Sequence, residues 1–115
     1  MYGLTVLLGG LLLSGCNNAE TASNSGAGSE EDTQLEINVA RLLDTNECKR
    51  CNLRNAELAD AILEFSDLSN ANLSNANLQR SDLQQADLYD ANLKNANLSN
   101  TKMTNANLMK ADLTG

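Results

Sequence analysis

Three residues have both the type and the setting for chemistry: Cys16, Cys48 and Cys51. A thiolate can be a nucleophile, a metal ligand or half of a disulfide. Cys16 closes an apolar run, whereas Cys48-Lys49-Arg50-Cys51 sets two thiols three residues apart. The chain contains no His, so the commonest acid/base group near neutral pH is missing. Zinc takes four ligands, and Cys48 and Cys51 could supply them only if two molecules shared the ion, so no metal site is expected. Redox exchange requires a CxxC at a helix N-terminus in a βαβ setting, which the surrounding pattern does not offer. A disulfide and a pair of free thiols remain as readings. If Cys16 is modified, Cys48 and Cys51 are an even pair in an oxidising compartment, and the disulfide is expected. So small a loop restrains the unfolded chain by only about 2 kcal/mol, so the bridge would serve to fix the helix before it against the first repeat after it.

The carboxylates suggest no reaction. They recur at regular spacing, no nucleophile is paired with a base, and no Gly-rich phosphate loop appears, so neither a catalytic residue nor a cofactor is expected. With 15 acids against 8 bases in 115 residues, the chain carries −7 and has no Lys/Arg stripe. Such a surface repels phosphate backbones, and nucleic acid is not an expected partner.

The thiols need elements to position them, and the N-terminus comes first. Residues 4–13, Leu-Thr-Val-Leu-Leu-Gly-Gly-Leu-Leu-Leu, form an apolar run too short to span a bilayer but suited to a signal h-region. Leu13-Ser14-Gly15-Cys16 comes directly after it and resembles the lipobox of bacterial lipoproteins. That resemblance implies a signal peptide over 1–15, cleavage before Cys16, and a lipid on Cys16 that anchors the chain to a membrane. Other readings are an uncleaved membrane-associated helix and a start codon further upstream. Two or three acyl chains give stable anchoring where one does not. Residues 17–32 contain no large apolar side chain, so 16–32 is read as a flexible tether of roughly 20–25 Å average span.

Over 33–44, Leu35, Val39, Leu42 and Leu43 fall on one helical face, and Thr33 with Glu36 matches a capping box. A helix of about three turns is marginal alone and must dock, so 33–50 is read as an N-terminal helical cap.

From Cys51 to Gly115 a five-residue pattern repeats thirteen times. Its central residues are Leu53, Leu58, Leu63, Leu68, Leu73, Leu78, Leu83, Leu88, Leu93, Leu98, Met103, Leu108 and Leu113, each with a small or Cys residue two positions earlier. Five suits neither a straight helix, where the leucines would scatter round the cylinder, nor a straight strand, where they would alternate faces. The two-residue step from small residue to Leu is the strand period, so both point one way. The polar residues after each Leu suit an exposed corner. An extended stub and then a constant bend turn every Leu towards one axis, which defines a solenoid.

This small-[Asn/Asp]-Leu-x-x pattern resembles the pentapeptide repeat family. The resemblance implies an all-β solenoid, a right-handed quadrilateral β-helix with four units per coil. Thirteen units then make about three coils, roughly 15 Å tall, beneath one short capping α-helix. The segment from Leu42 to Leu53 also looks like the N-terminal cap of exported family members. With four units per coil, residues twenty apart stack. Asn55, Asn75 and Asn95 are then expected to form an amide ladder, as is Asn72 with Asn92. Asp60 is expected to pair with Arg80 and Asp90 with Lys110, and Tyr89 to lie beside Met109.

Four large apolar residues fall where polar ones prevail: Ile62, Phe65, Tyr89 and Met109. Ile62 and Phe65 are expected to pack under the helix or its connection; the other reading makes the four a contact surface for a protein partner. The open strand edges of the last coil point to end-to-end pairing with a second copy or with a partner. The sequence thus reads as a non-enzymatic, exported, lipid-anchored structural or protein-binding module facing the periplasm, the cell surface or an internal, thylakoid-type lumen. The alternative is that of cytoplasmic family members that resemble DNA and inhibit type II topoisomerases. The repeats, however, sum to only −3 and would match only about four or five base pairs in height.

Overall fold

A computed structural model of the protein describes residues 30–115. The expected signal segment, the lipidation site Cys16 and the tether up to residue 29 lie outside the described residues.

Helix α1 runs over Glu30–Thr45. It begins three residues earlier than the apolar pattern indicates, taking in the end of the expected tether. Glu30, Glu31 and Asp32 occupy its first turn, where carboxylates complement the partial positive charge of the exposed backbone amides. Thr33 therefore lies within the helix and not at its N-cap. The helix stops at Asn46, whose left-handed φ of 60° lets its N–H reach back to the Leu42 carbonyl at 2.9 Å. Leu42 is fully buried and Leu35, Val39 and Leu43 partly so, as the apolar stripe requires. Asn38 shares the buried face.

After α1 the chain winds into a solenoid. Parallel bridges link residues twenty apart, from Glu47↔Asp67 through Asn92↔Asp112, in four series offset by five. Each coil is thus four five-residue units. Face A carries Glu47, Asp67, Asp87 and Asn107; face B Asn52, Asn72, Asn92 and Asp112; face C Glu57, Asn77 and Asn97; face D Ile62, Asp82 and Lys102. The first bridged residue is Glu47, so 46–50 is itself a unit, with Cys48 in the leucine position. The expected cap over 33–50 therefore divides, its last five residues belonging to the coil. Fourteen units, centred from Cys48 to Leu113, make three and a half coils.

The central leucines from Leu53 to Leu93 are at most 1 % exposed. Ala56, Ala71, Ala76, Ala86 and Ala91 fill the small positions between them and are equally buried. Coils spaced by about 4.8 Å leave no room for a second bulky chain per unit. Ser66 and Ser81 occupy small positions of the second coil, and their Oγ atoms are buried without a hydrogen-bond partner. An unsatisfied buried hydroxyl costs about 1–3 kcal/mol. Ser66→Ala and Ser81→Ala, matching the alanines stacked nearby, are each expected to raise the urea midpoint; a fall in either would show that its hydroxyl bonds internally.

Two backbone devices turn the corners. The last residue of each of the first thirteen units, Arg50 through Lys110, has φ between 58° and 65°. The next N–H closes the turn onto the central carbonyl, as from Ala56 to Leu53 at 3.0 Å, which with a left-handed third residue is the type II arrangement. Asn or Asp stands at eight of these thirteen corners, the non-glycine residues that tolerate this conformation best. The Asn or Asp before each Leu bonds the amide two residues on, as in Asn72 Oδ1 accepting from Ser74 N at 3.1 Å and Asp87 Oδ1 from Tyr89 N at 3.0 Å.

The expected amide ladders do not form. Asn72 and Asn92 each bond their own strand, and no side-chain hydrogen bond joins Asn55, Asn75 and Asn95 among the described residues. Between coils Asn77 donates to Glu57 at 2.9 Å, and Asn107 to Asp87 at 2.9 Å. The pair expected from stacking at Asp60 and Arg80 is present and bidentate, both bonds 2.7 Å. Lys110 does not pair with Asp90; its Nζ sits 5.3 Å from the centre of the Tyr89 ring, a cation–π contact.

Candidate functional site

The disulfide joins Cys48, in the central position of the first unit, to Cys51, in the small position of the second. Both positions face the solenoid axis, so the bond crosses the inside of one corner while Lys49 and Arg50 stand outside. Cys48 is fully buried and Cys51 6 % exposed. Above them Cys48 Sγ lies 3.4 Å from the Asn38 carbonyl oxygen, and Arg41 Nη1 lies 4.0 Å from Cys51 Sγ. The bond therefore staples the first corner of the first coil and does not tie the helix to the repeats. The helix is held instead by two asparagines. Asn38 Nδ2 donates to the Asn52 carbonyl at 2.9 Å while its Oδ1 accepts from Gln34, and Asn46 Nδ2 donates to the Glu64 carbonyl at 3.2 Å. Neither is legible as an anchor in the sequence, because Asn on an amphipathic helix or at its end reads as surface. Exchange chemistry needs a reachable sulfur, and these lie beneath α1.

The four candidate contact residues occupy two faces. Ile62, on face D, is 75 % exposed, and Phe65, at the corner between D and A, 64 %. The expected packing under the helix is thus overturned: in a unit whose inward positions are filled by Ala61 and Leu63, Ile62 and Phe65 have only outward directions left. Tyr89 and Met109 stack on face A, Tyr89 half-buried and Met109 64 % exposed. Face A and its edge thus gather Phe65, Tyr89 and Met109, with Ile62 round the corner. Phe65 also has a φ of 62°, a conformation that costs an ordinary L-residue about 1–2 kcal/mol.

The carboxylates are set by local bonds. The Ser69 hydroxyl, 2.6 Å from Asp67 Oδ1, is the main influence holding that carboxyl below its ordinary range; burial opposes it, and the Ser69 amide and Lys49 assist. The Arg80 guanidinium does the same for Asp60, and the Thr114 amide for Asp112. Each is held ionised by one or two neighbours, with no poised acid or base beside it. Among the described residues no three His, Cys, Asp or Glu side chains converge as metal ligands. A cleft of about 150 Å³ between α1 and the first coil is lined by Glu31, Asp32, Leu35, Asn52, Arg54 and Asn55. It is smaller than the roughly 300–1,000 Å³ of typical ligand sites. No helix among the described residues is long and apolar enough to cross a membrane.

A twenty-residue coil of four five-residue units, leucine inward and turned by left-handed corners, defines a β-helical solenoid. The profile of the pentapeptide repeats matches residues 47–85 and 76–115, more than half of the chain, and the chain belongs to the pentapeptide repeat family of right-handed β-helices. The match begins at Glu47, which agrees with Cys48 as the first unit's centre. Among solved structures, the chain is similar to a pentapeptide repeat protein from the cyanobacterium Cyanothece 51142, with 27% identity over 58% of this chain and 53% of that one and a TM-score of 0.36. It is also similar to a pentapeptide repeat protein from Nostoc Pcc 7120, with 35% identity over 70% of this chain and 73% of that one and a TM-score of 0.27. The chain spans about half the length of the Cyanothece protein. None of the curated proteins matches it.

Proposed function

We propose that the protein is a non-enzymatic, exported module, tethered to a membrane through a lipid on Cys16, whose solenoid presents outer faces to a protein partner. The observation that carries this reading is the division of the solenoid between inside and outside. Between Cys48 and Leu93 the inward positions are filled mainly by buried Leu, Ala, Ser and the disulfide, while Ile62, Phe65 and Met109 point outward into solvent. A packed axis leaves chemistry no pocket and makes the surface the working part. Export is supported by the apolar run 4–13 ending in Leu13-Ser14-Gly15-Cys16 and by a cysteine pair suited to an oxidising compartment.

The test is membrane fractionation with fatty-acid labelling of wild-type protein and Cys16→Ala in a bacterial host. Wild type is expected in the membrane fraction with label, and the variant unlabelled and released. A wild-type protein that is soluble, unlabelled and cytosolic would refute the anchor and bring back topoisomerase inhibition, which a supercoiling assay would then decide.

A further inference from the structure

The geometry points to face A as a homodimer interface, with the second copy related by a twofold axis parallel to the solenoid. This goes beyond the reading above and does not depend on the lipid.

Among the described residues the ion pairs are Asp60–Arg80 and Asp82–Lys102, on face D and its neighbouring corner. Face A has none. Its top row, Glu47 then Lys49 then Arg50, runs from negative to positive along one strand. Glu47 and Lys49 both point outward but stand about 7 Å apart at their backbones, two residues along the strand. Face A is also edged by Phe65 and carries Met109, both well exposed. Asn or Asp would relieve the left-handed corner at residue 65, and the sequence keeps an aromatic there.

A twofold axis parallel to the solenoid preserves height and exchanges left for right, so each row of face A meets itself reversed. Glu47 then faces the partner's Lys49, and Lys49 faces the partner's Glu47. Phe65, at one edge of the second row, comes opposite the partner's Asn70 at the other edge, where its exposed ring covers that corner. Lower down, Asp87 faces the partner's Tyr89, whose hydroxyl can donate to it. The other face-to-face arrangement, with the axis across the solenoid, sets Lys49 and Arg50 against the partner's Lys110 and is repulsive. Charge therefore selects the parallel pairing, which also leaves both α1 helices at one end. The face is small, about 17 Å high and one unit wide, well under the roughly 1,200 Å² total typical of stable complexes, so the dimer is weak and concentration-dependent.

Sedimentation equilibrium of the full chain in a density-matched neutral detergent tests this. Wild type is expected to show a monomer–dimer equilibrium. Glu47→Lys and Lys49→Glu should each raise the dissociation constant by about tenfold or more, since each creates two like-charge contacts. The double variant Glu47→Lys/Lys49→Glu should return it to within about threefold of wild type, and Lys94→Glu, at the end of face B, should leave it there. Phe65→Asn should weaken the dimer while raising the melting temperature of the monomer. A chain that stays monomeric at millimolar concentration, a dimer indifferent to the single reversals, failure of the double variant to recover association, or end-to-end polymers would each overturn the assignment.

Discussion

Leu78→Asp is expected to abolish folding. Leu78 is fully buried in the second coil, stacked between Leu58 above and Leu98 below, and no cation reaches the axis. A carboxylate there must be buried without a partner or drive the coils apart, a loss that exceeds about 4–5 kcal/mol. That rivals the entire stability of a small domain, about 5–15 kcal/mol. Leu78→Ala should be milder, losing about 2–5 kcal/mol through the cavity it leaves. Circular dichroism should show no cooperative thermal transition for the aspartate and a lowered one for the alanine. An aspartate variant that melts at the wild-type temperature would mean that the leucine at residue 78 faces solvent.

The second large effect concerns the disulfide. Cys48→Ser/Cys51→Ser is expected to lower stability by roughly 2–4 kcal/mol, combining the lost cross-link with two hydroxyls placed beneath α1. Because Cys48 stands where the repeat has Leu and Cys51 where it has Ala, Cys48→Leu/Cys51→Ala should recover at least half of that loss without any sulfur. Urea titration of the three proteins measures this. A serine pair as stable as wild type would show that the bond contributes nothing; a Leu/Ala pair less stable than the serine pair would show that the first unit does not follow the repeat.

The repeat is legible because one constraint, burial on a shared axis, acts on every fifth residue and leaves the same signature each time. Once four units per coil are supplied by resemblance, stacking at twenty residues places Asp60 on Arg80 correctly. The same arithmetic fails for Asp90 and Lys110, because register fixes which side chains are neighbours and not which of two neighbours, a carboxylate or the Tyr89 ring, wins. The amide ladders fail as well: at Asn72 and Asn92 the Oδ1 is engaged within its own strand, and register alone does not make stacked amides bond one another. Cys48 hides the first unit because a disulfide partner fills a leucine position by bonding to its neighbour. Packing of Ile62 and Phe65 under the helix is expected because large apolar residues are usually covered, and in this chain the inward positions are already taken. The early start of α1 leaves no mark in the apolar stripe, because it rests on charge in the first turn.

The twenty-residue repeat distance also governs how the molecule assembles. The hydrogen bond longest in sequence among the described residues, from Thr101 to the Leu78 carbonyl, spans 23 positions. Assembly can therefore proceed as a zipper, in which each turn adds to a neighbouring turn already in place. Such growth keeps pace with a ribosome or a translocation channel delivering the chain N-terminus first, and at every stage only the latest turn presents an unfinished edge.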